Sequence, residues 1–237
     1  MTSFAATLSA FDGNISRLNA HMRGCLHTEV SMAADIIMRQ LAGGKRLRAV
    51  ITMLSAKLCG LPQERGMEMA TAIEFIHTAT LLHDDVVDDA DTRRRQAAAN
   101  RIYGNAAAVL VGDFLYSRAS QLLARMGSVR LLEKMTDATN RLSEGELLQL
   151  LARRSGNISR EMYFSVIERK TANLFEIAAA GPAIYARQPA AEKALGEYGR
   201  RLGLAFQLVD DCLDYEGGDT GKEVGRDFCE GKMTLPV

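Results

Sequence analysis

Tryptophan is absent from the 237 residues, proline occurs four times, and aromatics make up 6% of the chain. So little proline leaves few places where a helix is forced to break. Valine and isoleucine are scattered and never form alternating runs bounded by turn residues, so no sheet is expected. Charge of neither sign is in excess: Lys+Arg and Asp+Glu number 29 each, for a formal net charge of +0. That gives no basic footprint, and nucleic acid is not expected as a partner. No apolar run approaches the ~20 residues that span a bilayer, so no transmembrane segment is expected. The start, Met1-Thr2-Ser3-Phe4-Ala5, lacks the basic stretch and apolar core of a leader peptide. The four cysteines (Cys25, Cys59, Cys212, Cys229) are far apart without metal-ligand spacing. They read as reduced thiols of a cytoplasmic protein. No repeat of 20–50 residues and no low-complexity tract is present.

What is abundant favours helix. The chain is 47% hydrophobic, enough for one large core, and rich in Ala, Leu, Met, Glu and Arg. An all-α protein of a single domain, residues 1–237, is the expectation. Within the apolar stretch from Ala70 to Ala99 stands His83-Asp84-Asp85-Val86-Val87-Asp88. A helix there puts Asp84 and Asp88 one turn apart on one face, with Asp85 rotated by about 100°. Carboxylates on an oily helix repel one another and resist desolvation unless a cation lies among them. The pattern returns at Asp210-Asp211-Cys212-Leu213-Asp214. Two such triplets suggest two helices facing each other across divalent metal ions.

The remaining chain frames these two helices. Residues 4–22 read as an amphipathic helix, with Phe4, Leu8, Phe11, Ile15 and Leu18 at helical spacing. A second helix covers 29–41 and ends at Gly43-Gly44. Gly44-Lys45-Arg46-Leu47-Arg48 then precedes the helix Ala49–Leu58, as a basic turn or, with its free N–H groups, as an anion site. The helix 65–91 carries His77 two turns before Asp84, either as a satisfied core histidine or as a ligand. Arg93-Arg94-Arg95 either balances the neighbouring aspartates or clamps a diphosphate. Helices are expected over Tyr103–Met126, Leu131–Ala152 and, after Ser159 as N-cap, Arg160–Ala180. Lys170-Thr171 in the middle of the last suggests a buried anion, or a snorkelling lysine. Gly181-Pro182 and Gln188-Pro189 bracket a turn before the helix Ala190–Tyr215, which holds Gln207 and the second triplet. A Gly-rich polar loop from Gly217 to Lys232, with Lys222 and Asp227, has the length of a lid.

Taken in order, these motifs resemble the trans-isoprenyl (polyprenyl) diphosphate synthases. They are Gly-Gly-Lys-Arg-x-Arg, His-x6-Asp-Asp-x-x-Asp, Arg-Arg, Lys-Thr, Gln-x-x-Asp-Asp-x-x-Asp, Gly-Lys-x-x-Gly-x-Asp and Glu-Gly-Lys-x-Thr-Leu-Pro. The likeness covers nearly the whole chain after residue 40 and leans toward bacterial long-chain members in Phe75–His83. Three departures stand out. Arg95 and Gln96 follow the arginine pair where relatives usually have Gly and then a small or basic residue. Ala49 stands where Pro often follows the basic motif. The chain ends just after Thr234-Leu235-Pro236, where relatives continue for several helices, so it is expected to lack that C-terminal part.

The resemblance implies a single large helical bundle with a central active-site cavity. It also implies condensation of isopentenyl diphosphate onto an allylic diphosphate such as farnesyl diphosphate. The product would be a long-chain all-trans polyprenyl diphosphate, octaprenyl, for quinone side chains. The implied cofactor is Mg2+, two or three ions, and the implied assembly is a homodimer. Asp84 and Asp88 would be direct metal ligands, with Asp85 supporting. Asp210 would be the main ligand of the second helix, with Asp211 and Asp214 reaching metal through water. Lys45, Arg48, His77 and Arg94 would hold isopentenyl diphosphate. Arg93, Lys170, Thr171, Gln207 and Lys232 would hold the allylic diphosphate. Ala79 and Thr80, small and about one turn below Asp84, would leave the tunnel open for a long product. Alternatives are a shorter-chain farnesyl or geranylgeranyl synthase, a non-catalytic subunit of a heteromeric synthase, and a class I terpene cyclase. The cyclase would usually replace the second triplet and would lack Lys45, Arg48 and His77.

Overall fold

A computed structural model describes residues 11–93, 96–155, 158–216, 225 and 234–235. Phe4 and Leu8 of the first expected helix lie outside them, as do Arg94, Arg95, Lys222, Asp227 and Lys232. The described chain is helical almost throughout, as the composition requires. Its contacts divide it into two compact units, Met1–Leu132 and Glu133–Val237.

The first unit holds α1 (Asp12–Gly24), α2 (Ser31–Leu41), α3 (Leu47–Leu58), α4 (Gln63–Val87), α5 (Ala99–Tyr103) and α6 (Asn105–Arg125). Its axis is α4, packed mainly against α6 and α3. Met69, Ile73, Phe75 and Leu82 of α4 are fully buried, with Leu115 and Leu123 of α6 and Leu18 and Met22 of α1. A helix covered on so many sides also buries its polar residues, and each makes at least one bond within the protein, although Asp85 Oδ2 has no partner of its own. His21 meets the Thr71 hydroxyl at 2.9 Å, and Thr78 donates to the Glu74 carbonyl. Glu74 and Arg46 form an ion pair of 2.9 Å with both side chains buried.

One expectation is corrected in this unit and one helix boundary is sharpened. A short antiparallel hairpin, β1 (Thr92–Arg93) with β2 (Gln96–Ala97), follows α4 where no strand was foreseen. Four residues in register need no alternating hydrophobic run, so periodicity could not reveal it. The helix expected over Tyr103–Met126 is present as α6, and Gly104 (φ 85°, ψ 157°) separates it from the short α5 before it. Only glycine adopts that backbone without strain.

The second unit holds most of α7 (Val129–Ser155), α8 (Arg160–Ile167), a π-helical turn at Glu168–Ala172, α9 (Asn173–Tyr185) and α10 (Pro189–Glu216). Ser159 caps α8 as expected, accepting from the Met162 N–H. The turn expected at Gly181-Pro182 is not there: α9 runs through Pro182 to Tyr185. Proline removes one backbone bond, but α9 is buried along its whole length, and packing holds the helix together. The long helix α10 lies against α9 at glycines. A Cβ on Gly199 would run into the Phe175 carbonyl, and one on Gly203 would come within 2.5 Å of Ala172 Cα.

Candidate active site

In the first unit the acidic triplet sits at the C-terminal end of α4. Asp84 is its fourth residue from the end, and Asp88 is the C-cap, in αR conformation. Asp89 follows in the left-handed region (φ 50°) and turns the chain away. Asp84 and Asp88 are half-buried, whereas Asp85 is completely buried. The Asp85 carboxylate is held by Arg93 on the hairpin, whose Nη2 and Nε donate to Oδ1 at 2.6 and 2.8 Å. Its carbonyl accepts from Asn100 Nδ2 and from the Ala90 amide. The hairpin therefore returns a guanidinium to the middle carboxylate of the triplet. His83, next in line, reaches the Val109 carbonyl at 3.2 Å over Gly112, where any Cβ would strike the imidazole.

The basic motif lies at the start of α3. Gly43 and Gly44 have φ of 86° and 92°, and Arg46, the N-cap, sits at φ 50°. The residue that goes inward is Arg46, which pairs with Glu74 and donates to the Leu41 carbonyl. Lys45 stays exposed, and Arg48 approaches His77, Nη1 to Nε2 at 3.4 Å. Burial pushes the Arg48 guanidinium down to about 10, against the pull of Glu74. A desolvated cation of this kind gains from an arriving anion. Arg46 was assigned no role from the sequence; only its pairing across 28 residues with a glutamate inside an apolar helix distinguishes it from its two basic neighbours. Ala79 is buried and Thr80, half-buried, donates to the His77 carbonyl.

In the second unit the Lys170-Thr171 pair lies within the π turn. Such turns insert one residue into a helix and are frequent at functional sites. Lys170 Nζ sits 2.7 Å from Glu146 and 2.6 Å from Gln149 on α7. Thr171 donates to Gln207 Oε1 at 2.7 Å, and Gln207 Nε2 donates to Asp211 Oδ1 at 2.7 Å. The Tyr163 hydroxyl donates to the other oxygen of Asp211. Asp211 and Asp214 are buried and Asp210 is half-buried. Burial pushes the Asp211 carboxyl up, with the Tyr163 and Gln207 bonds opposing it. Glycine makes room for the turn: a Cβ on Gly145 would meet Arg169 Cβ at 2.8 Å and Lys170 Cγ at 3.0 Å. Tyr163 and Gly145 carried no signal in the sequence, since neither belongs to a recognisable motif.

Each triplet by itself is chemically suited to a hard cation. Asp84 and Asp88 in the first unit, and Asp210 in the second, are oxygen donors on half-buried surfaces, which Mg2+ favours while keeping several waters. Among the described residues no three His, Cys, Asp or Glu side chains form a closed cage. An ion that completes its shell with water and phosphate oxygens does not need one.

Solved structures define the class. A polyprenyl synthase from Caulobacter crescentus CB15, complexed with calcium and isoprenyl diphosphate, matches with a TM-score of 0.91 at 41% identity, over 100% of this chain and 74% of that one. A decaprenyl diphosphate synthase from Rhodobacter capsulatus matches at 0.89 and 40%, over 97% of this chain and 72% of that one. The fold is thus that of the helical isoprenoid synthases. The polyprenyl synthetase family model matches residues 30–237, and the chain belongs to that family. Octaprenyl diphosphate synthase of Escherichia coli K12 is 52% identical over 198 residues, 82% of this chain and 61% of that protein. The Haemophilus influenzae octaprenyl diphosphate synthase is 47% identical over 230 residues, 95% of this chain and 70% of that protein. The chain therefore spans about 61% of the length of the Escherichia coli relative.

Proposed function

We propose that the protein is a trans-prenyltransferase that adds isopentenyl diphosphate to an allylic diphosphate and makes a long all-trans polyprenyl diphosphate, octaprenyl, for quinone side chains. The observation that carries this is the uneven burial within each acidic triplet. Asp85 and Asp211 are buried and anchored by protein donors and Asp214 is buried too, while Asp84, Asp88 and Asp210 are half-buried at the helix surface. Two or three Mg2+ ions fit those surface oxygens and, when bound, would neutralise the departing diphosphate. Asp84, Asp88 and Asp210 would ligate directly, and Asp214 through water. Arg48 and His77, already neighbours, would hold isopentenyl diphosphate together with Lys45 and Arg94. Arg93, Lys170, Thr171, Gln207 and Lys232 would hold the allylic diphosphate, and an apolar tunnel would keep water from the allylic cation. Ala79 and Thr80 leave room for a long tail, and the similarity to relatives named octaprenyl diphosphate synthases supports the same length. The cytoplasm and a homodimer complete the proposal, and residues 1–237 would act as one domain.

The test is incubation with farnesyl diphosphate, labelled isopentenyl diphosphate and Mg2+, followed by chain-length analysis. Octaprenyl product is expected. No incorporation of label overturns the proposal, and product from farnesyl diphosphate alone indicates a cyclase instead. Asp84→Ala should abolish turnover while the circular dichroism stays helical; near-normal turnover would remove the metal assignment.

A further inference from the structure

Tyr163 lies outside every motif, yet three parts of the second unit meet at its side chain. It is 4% exposed, on α8, one turn before the π turn. Its hydroxyl hydrogen goes to Asp211 Oδ2 on α10. The Leu235 backbone lies close enough to the hydroxyl to act on it, and Thr234 donates to the Tyr215 hydroxyl at 3.3 Å. The other Asp211 oxygen accepts from Gln207, whose own Oε1 accepts from Thr171. The result is an unbroken relay, Tyr163 to Asp211 to Gln207 to Thr171, that runs from α8 through α10 to the π turn. Satisfied networks of this kind hold their members to one geometry. Both Asp211 oxygens already accept from the protein, whereas Asp210 sits about 100° around the same helix.

We propose that Tyr163 is a positioning residue for the metal-binding face of α10: by fixing Asp211 it keeps that carboxylate out of metal coordination and sets the rotation of α10 that presents Asp210, and through Gln207 it sets Thr171. This rests on the metal-dependent prenyl transfer proposed above. The role differs from that of a catalytic residue, because Tyr163 acts only through Asp211.

The test is Mn2+ affinity of the whole chain in the presence of inorganic diphosphate, followed by electron paramagnetic resonance. Tyr163→Phe leaves one oxygen of a buried carboxylate unsatisfied and should weaken Mn2+ binding by about tenfold. Asp211→Asn should weaken it by about tenfold as well, and the double variant by about tenfold rather than a hundredfold, since both changes break one relay. Asp210→Asn, which removes a direct ligand, should lose on the order of a hundredfold or more. The KM for isopentenyl diphosphate should stay unchanged in Tyr163→Phe, which a general loosening of the fold would not predict. Wild-type Mn2+ affinity in Tyr163→Phe, additive losses in the double variant, or equal losses in Asp211→Asn and Asp210→Asn would each overturn the proposal. If Tyr163→Phe does not fold, the comparison of Asp211→Asn with Asp210→Asn decides alone. A wild type with no diphosphate-dependent Mn2+ affinity overturns the parent proposal along with this one, whereas a wild type that binds and a Tyr163→Phe that matches it overturn only this one.

Discussion

Arg46 and Glu74 show how much one buried pair can weigh. Both side chains are 3% exposed and the contact is 2.9 Å, so each charge depends on the other. Glu74→Leu should cost about 3–5 kcal/mol, because an uncompensated guanidinium stays buried. Adding Arg46→Met should recover much of that; denaturant unfolding of the two variants checks both statements. Glu176 sits half-buried in a cleft with Lys134, Arg141 and Glu197. Burial raises its carboxyl above the ordinary range, against Arg141 and Arg200. The folded state thus holds this proton more tightly than the unfolded one. Stability from the group is present below the unfolded pKa and is lost as pH rises through the raised folded value. Glu176→Gln should therefore raise the melting temperature more at pH 7 than at pH 4, and equal effects at the two pH values would contradict the assignment. At this scale the sequence was a partial guide. It marked Arg48 and His77, now neighbours, but could not say that Arg46 turns inward, because inward and outward cations look alike until a distant carboxylate is placed.

Helices were the most legible elements, since their apolar periodicity is local. Their interruptions were not. Pro182 leaves a helix unbroken against its usual preference, because α9 is buried around it, whereas the exposed Gly104 ends a helix as glycine ordinarily does. Gly145, Gly199 and Gly203 would count only as weak helix formers by propensity. Their use appears in the close approach of α7 and α10 to the π turn and α9. Gly203→Ala would press a methyl on Ala172 Cα, which is backbone and cannot swing aside. A loss of about 1–3 kcal/mol is expected, read as a lower melting temperature. An unchanged melting temperature would mean that α10 can shift without penalty. The π turn itself had no sequence signature, since Lys170-Thr171 reads as ordinary helix.

For the molecule as a whole, family and fold were legible because seven motifs follow one another in a fixed order over most of the chain. The arrangement inside each triplet was not, because burial of Asp85 and Asp211 depends on Arg93 and Tyr163 from other elements. In the proposed reaction, product length would be set by the assembled tunnel, and Ala79 is the position that probes it. Ala79→Phe should shorten the products to roughly farnesyl or geranylgeranyl length, measured by chromatography of the released alcohols; unchanged lengths would sink the open-tunnel idea. The π turn has a last consequence. At Glu168–Ala172 the chain is one residue longer than a continuous α-helix would need. Losing a single codon there would make the backbone more regular, yet would rotate Lys170 and Thr171 by about 100° relative to the helix that follows. A shortened protein that melts no lower than its parent and yet binds diphosphate poorly would show that here an extra residue, rather than a particular side chain, was selected.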